Sequence, residues 1–567
     1  MDAQLDTHEG LELRDPSIVM RLARLGSFHQ SRLSFMRILT RRMTREKWTF
    51  SSPVFDIDAQ GVGHAVYTAH TPQRAYSLVA FAHDLPADQR SDRVIAEAWD
   101  STFTLFDGVP DAADIERLRQ NIPLQEAGRV SRCELSVSRA NRSVRLWEHV
   151  VSCLAQGQQP NADEIAKVGY LMRTTAVYGS GKLGAADREM IADRPEFSAP
   201  FQVEMLSVFL TRAFVRDLAQ HMAHARGGAA TATLDPDIAR SMGIGNSTGL
   251  GMAPFLLNHP RLINNWIAAR ETAIARVRAL PTATREEIAL FGELLERSVL
   301  SADLWHSTHP IQIEKLADLR ADLAKLCTRV AATDMAQAQP WDALFRWAEA
   351  NLGMDAQECL ASLMLEPYGA LVDGLAEQMS DTDVVHFRID GSMKIANLKA
   401  IIARAYAWAV GVDWQNKDHC ARAWYVSEEK LEPRLGERFE EPIEDYEQPL
   451  APGRDAAALN TALKDWQDDA SVAAFLLAHP EHRHTVRRAQ IVDKAPYAEI
   501  QDNTIGSELM PIDMLRCKLS FFGATHFDPR SDRWVRICLF GNAPYPEELQ
   551  TLGKDDWPYP GLQDAGV

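Results

Sequence analysis

Residues 242–254 read Met242-Gly243-Ile244-Gly245-Asn246-Ser247-Thr248-Gly249-Leu250-Gly251-Met252-Ala253-Pro254. Four glycines fall within nine residues, with three small polar residues between them. Glycine lets the backbone take positive φ and approach a ligand closely. Pro254 suits the first turn of a following helix. Read as a loop between a short helix over Asp235–Met242 and the helix that begins near Pro254, this stretch leaves the middle of the chain helical throughout. A loop rich in N–H groups running into a helix N-terminus holds an anion, and Asn246, Ser247 and Thr248 add polar groups to Gly245 and Gly249. The same glycines also suit a tight crossing of two helices.

The stretch is not a nucleotide fingerprint. A dinucleotide fold needs a strand before its glycines, and a P-loop needs Gly-Lys followed by Ser or Thr. Neither is present here, so the sequence predicts no cofactor.

On either side, apolar residues recur at three- and four-residue intervals. Helices are expected over Asp111–Ile122, Arg139–Ala155, Asp163–Ala176, Ser198–Arg226, Pro254–Leu280, Thr284–Leu300, Ile311–Val330, Pro340–Asn351 and Asp355–Met379. Thr282 or Thr284 caps the helix carrying Glu286 and Glu287, and Gly227-Gly228 follows the longest one. The N-terminal flank holds a basic helix, Arg21–Lys47, with eight basic residues and Glu46 as its one acidic residue. Its expected roles are pairing with acidic surface elsewhere in the fold, lying on a membrane surface, or turning arginines onto an anionic ligand. Trp48–Asp58, Gly63–Thr71 and Tyr76–His83 read as an antiparallel meander. Val94–Phe106 fits strand or helix. Towards the C-terminus, Val384–Ile389 and Arg533–Phe540 read as strands and Lys394–Ala409 and Ala456–Ala478 as helices. Glu428–Pro452 reads as an acidic, proline-rich linker.

The fold class is therefore α+β and predominantly α-helical. A large all-α central domain (111–380) is expected between smaller antiparallel-β-containing regions (1–110 and 381–567).

The chain has 567 residues, 46% hydrophobic and 24% charged, an ordinary globular balance. Its net charge of −18 repels phosphate backbones, so no nucleic-acid partner is expected. The seven cysteines include no Cys-x-x-Cys pair, which fits free thiols in a reducing compartment. The N-terminus lacks a basic-then-apolar leader, and no apolar run reaches the ~18 residues that span a bilayer. No membrane span and a cytoplasmic location are expected. A homo-oligomer is a possible assembly.

A second glycine-rich stretch runs from Arg173 to Gly184. Tyr178 and Lys182 have the Tyr-x-x-x-Lys spacing of short-chain dehydrogenases, yet Gly179-Ser180-Gly181 argues for a turn rather than a continuous helix. On the long helix, Arg212 is a candidate anion contact, and Asp217 and His221 have the spacing of a carboxylate–imidazole pair. His306 with His309, and His479, His482 and His484, lack the acidic partner of a metal motif, so no metal is predicted. His259, beyond the glycine stretch, is a candidate proton carrier.

These residues converge on one expectation: an enzyme acting on a small anionic, carboxylate- or phosphate-bearing metabolite by lyase or hydrolase chemistry. Arg173, Arg212 and the Gly245–Gly249 amides would bind the anion, and Lys182, Tyr178 or His259 would move the proton. The alternatives are a non-catalytic helical scaffold and a cofactor-dependent oxidoreductase without a short motif.

Overall fold

The computed structural model describes residues 11–86, 98–123, 129–174, 191, 193–248, 260–335, 337–379, 387–415, 424–427, 433–435, 447–450, 452–501, 516–517, 519–529, 535–551 and 555–559. After the basic helix α1 (Phe35–Arg45), the β-branched and aromatic run forms the expected meander. Its strands are β1 (Thr49–Ile57), β2 (Gly63–His70) and β3 (Ala75–Ala82), paired antiparallel in turn. The undecided stretch after it yields β4 (Ser101–Asp107). Strands β5 (Glu134–Arg142), β6 (Tyr170–Thr174) and β7 (Gly243–Thr248) extend the sheet. A separate antiparallel sheet holds β8 (Trp424–Ser427), just before the stretch read as a linker, with β9 (Pro433–Leu435) and β10 (Glu447–Leu450) inside it. Finally β11 (His526–Pro529) and β12 (Val535–Leu539) return to the main sheet, whose order is β1-β2-β3-β4-β5-β6-β7-β12-β11.

The structure is mixed α+β and mostly helical, as expected. The all-α centre is not what forms. Three of the sheet's strands lie within 111–380, so one sheet draws on the N-terminal, central and C-terminal thirds of the chain. Arg139–Ala155 is the end of β5 followed by a helix over Trp147–Ala155, and Asp163–Ala176 is a short helix, Ala162–Ala166, followed by β6. The reason is burial. Eight of the nine β5 positions and all five in β6 are buried. Alternation of apolar and polar residues is confined to Glu134–Ser138 at the start of β5, before the segment read as a helix, and β6 has none. The glycine stretch is likewise a strand over its first six residues and not a loop. A side chain at Gly245 would put its Cβ 2.6 Å from the Tyr170 ring, and one at Gly243 would lie 2.2 Å from the Leu539 carbonyl oxygen. These glycines let strands and an aromatic ring meet closely, which is the usual meaning of glycine inside a strand.

Each face of the sheet has its own cover. On one, Val66, Val79, Phe81 and Val137 pack with Leu118 at the end of α2 (Ala112–Arg119) and with Ile122. On the other lies the 26-residue helix α3 (Gln202–Gly227), where Phe214 meets Tyr67 and Phe103 edge to face. Burying each such ring stabilises the fold by roughly 1.5–3 kcal/mol. Ser136 and Ser138, opposite Leu105 and Phe103 on this face, are buried and small.

The same core continues into the helices α4 (Pro260–Arg278), α5 (Arg285–Asp303) and α6 (Met354–Leu363). Thr284 caps α5 in the predicted way: its hydroxyl accepts from the Glu287 N–H, and Glu287 accepts from the Thr284 N–H. Residues 395–498 have a core of their own, built from Leu398, Ile402, Leu459, Phe475 and Val486. There the expected helices break into Ile395–Ala405 with Ala407–Val410, and Pro452–Leu463 with Val472–Ala478. Of the strand expected over Val384–Ile389, residues 384–386 lie outside the described residues and 387–389 are not in a strand.

Candidate functional site

Every neighbouring pair in the main sheet is antiparallel except β6 and β7, which run parallel. Two parallel neighbours end on the same side of a sheet. The carboxyl ends of β6 and β7, at Thr174 and Thr248, therefore lie on the same side of the sheet. In open sheets with parallel strands, ligands settle beyond the carboxyl ends of such strands.

Arg173 is buried in β6, with Asn141 of β5 as its neighbour on one side and Gly245 of β7 on the other. Asn246 is 3% exposed. Its Nδ2 donates to the Thr174 carbonyl at 3.1 Å, which ties the last residue of β6 to β7. Among the described residues, Asn246 Oδ1 accepts no hydrogen bond. A buried amide oxygen without a donor costs about 1–3 kcal/mol. Ser247 and Thr248 are strand residues of β7, opposite Arg536 and Val535 of β12. Tyr178, Lys182, Gly249 and His259 lie outside the described residues.

Arg212 sits elsewhere, at the amino end of β7. Its Nε donates to the Met242 carbonyl at 2.8 Å, Nη2 to Arg240 at 2.9 Å, and Nη1 to Ala543 at 2.8 Å and Pro544 at 3.4 Å. Its guanidinium lies 3.9 Å from the centre of the Tyr545 ring. Burial lowers its pKa from the usual arginine range. The side chain thus fastens the C-terminal segment to the start of β7. Asp217 and His221 do not pair: Asp217 accepts from the Tyr67 hydroxyl at 2.7 Å and from Arg216, while His221 Nε2 meets the Asp58 carbonyl at 2.9 Å. Among the described residues, no group of three or more His, Cys, Asp or Glu side chains is placed to hold a metal ion.

The basic N-terminal segment pairs with acidic residues elsewhere in the fold, but inside the molecule. Arg37, fully buried, donates to both carboxylate oxygens of Glu366 at 2.6 and 2.8 Å. Arg32 does the same to Asp373, and Arg41 reaches Asp555 at 2.7 Å. Burial opposes ionisation of Asp555, yet Arg37, Arg41 and Arg32 outweigh it and hold the carboxyl below its usual range. A second centre forms around Glu358 of α6. It accepts from Arg14 at 2.6 Å, Arg24 at 2.7 Å and Arg270 of α4 at 2.6 Å, while Glu271 takes two bonds from Arg14. Burial works against its charge, but the three guanidiniums hold the carboxyl well below the usual range. The sequence marks Arg24 and Arg37 as part of a charged segment. It gives no sign of their buried partners, which are more than 300 residues away.

No helix among the described residues is long and apolar enough to cross a membrane. Comparison with protein-family models, curated proteins and solved structures finds no match to this chain.

Proposed function

We propose that this chain is a metabolic enzyme whose site lies beyond the carboxyl ends of β6 and β7 and takes a small anionic metabolite bearing a carboxylate or phosphate. The observation that carries this reading is the Asn246 carboxamide. It is buried near the carboxyl ends of β6 and β7, and its Oδ1 accepts no hydrogen bond among the described residues. A hydroxyl or amine of the ligand would supply the missing donor. Arg173, one residue before β6 ends, would provide positive charge, and the amides beyond Thr248 would add further donors. Lys182 and Tyr178 follow β6 in sequence and His259 follows β7. They are the proposed proton carriers for lyase or hydrolase chemistry. Arg212 is not needed for this reading, because its donors are used on carbonyls at the opposite end of β7.

The test is a thermal-shift panel of small carboxylates and phosphate esters on the wild type, Asn246→Ala and Lys182→Ala. A ligand at ~100 times its Kd stabilises the wild type by about 2.7 kcal/mol. Both variants are expected to unfold cooperatively and to lose that response. Wild-type response in both variants overturns the site. Loss of cooperative unfolding in both makes the two stretches packing devices.

A further inference from the structure

A cleft of about 380 Å³ opens between α1, the segment around Asp373–Glu377 and the C-terminal segment around Leu549 and Trp557, well away from β6 and β7 in the sequence. That volume sits at the lower end of the ~300–1,000 Å³ common for small-molecule sites. We propose that it binds a small zwitterion: an amino-acid-like molecule with one carboxylate, one ammonium and an apolar body.

The lining divides by what its groups already do. Ile38, Ala376, Leu549 and Trp557 give an apolar wall. Arg41, Asp373 and Asp555 also line the cleft, but they are joined to one another and to Arg32 and Arg37, so their charges cancel locally. Arg42 lines the cleft as well, but it donates to the Pro195 carbonyl and pairs with Glu46 at 3.6 Å. Two lining charges have fewer ties. Arg45 is 63% exposed and touches Glu46 at 3.8 Å as its one ion pair among the described residues. Glu377 is exposed and makes no hydrogen bond or ion pair among the described residues. One cation on α1 and one carboxylate on the 373–379 segment discriminate by sign. A plain anion meets Glu377 as a like charge, and a plain amine meets Arg45 in the same way. A molecule carrying both charges satisfies both walls.

Isothermal titration of the full chain with phenylalanine and its two isosteres, 3-phenylpropionate and phenethylamine, tests the inference. Phenylalanine is expected to bind, with each isostere weaker by about tenfold or more. Arg45→Ala should shrink the preference over phenethylamine, and Glu377→Gln should shrink the preference over 3-phenylpropionate. Both side chains are exposed, so neither change disturbs the core. Asn246→Ala should leave phenylalanine binding unchanged, which separates this cleft from the site beyond β6 and β7. The inference is overturned if 3-phenylpropionate binds as tightly as phenylalanine, or if none of the three binds at ~10 mM.

Discussion

Glu358→Gln removes one negative charge and keeps the volume of the side chain. The carboxylate it replaces is fully buried and receives Arg14, Arg24 and Arg270 at 2.6–2.7 Å. Breaking a buried ion pair by removing one partner costs about 3–5 kcal/mol, because the other charge stays buried without compensation. Here three guanidiniums lose their shared partner and only Glu271 remains beside Arg14 and Arg270, so the upper end, about 5 kcal/mol, is expected. The pH dependence gives an independent signature. An unfolded glutamate titrates near 4.3, and the folded Glu358 carboxyl titrates well below that. The unfolded chain therefore takes up the proton first as pH falls. The stabilisation is complete above about pH 5 and drains away below it, towards the folded pKa. Urea unfolding followed by tryptophan fluorescence, from pH 7 down to pH 3, reads both quantities. The variant should be less stable at pH 7 and lose less on acidification than the wild type. A difference under ~1 kcal/mol at pH 7, or acid limbs of equal steepness, would refute the claim that this carboxylate holds the three arginines in place.

Two further changes test other parts of the fold. Burial, helped by Arg516, pushes the His29 imidazole down to about 4, whereas an unfolded histidine titrates near 6.5. The unfolded state binds the extra proton, so this residue should cost roughly 3 kcal/mol of stability as pH falls from 6.5 to 4. His29→Phe, which keeps a ring against Trp305, should flatten that window, and an unchanged slope would count against it. Gly245→Ala places a Cβ 2.6 Å from the Tyr170 ring and should destabilise by about 1–3 kcal/mol, as overpacking does. Wild-type stability by thermal melting would show that the close approach of β7 to Tyr170 is absent.

The meander was legible because β1 to β3 carry β-branched and aromatic residues between clear turns. The helices over Arg285–Asp303, Pro310–Ala332 and Pro340–Asn351 were legible because each buries one stripe and shows water the other, and Thr284 with Glu287 announces the first one's cap. The helix expected over Asp355–Met379 instead stops at Leu363, buried on all sides from Ala356 onward, and gives way to short helical pieces. The strands β5, β6 and β7 were not. Nearly all of β5, all of β6 and the first four residues of β7 are buried whichever face they point to, and β7 opens Gly-Ile-Gly, a composition that locally favours a bend. Only the pairing with Tyr170–Arg173 and with Val535–Leu539, remote in sequence, makes a strand of it. For the candidate site, the residue types were readable and their places were not. Arg173 and Asn246 lie near the same ends of two neighbouring strands, Arg173 level with Gly245 and so on the other face of the pleat from Asn246, whereas Arg212 looked like an anion contact and serves backbone carbonyls instead. Nothing in a helical heptad tells a guanidinium which oxygen it will meet.

The pairing of Thr248 with Val535 has a temporal consequence. On the ribosome, β1 to β6 can zip as they emerge, since each finds its partner just behind it. The edge of β7 must wait, carrying unpaired amides and carbonyls, until the helical body and the separate core of residues 395–498 have been made. Only β12, far later in the sequence, covers it. Such distant closure slows folding. It leaves the nascent protein with an open edge prone to pairing with another copy until β12 has emerged.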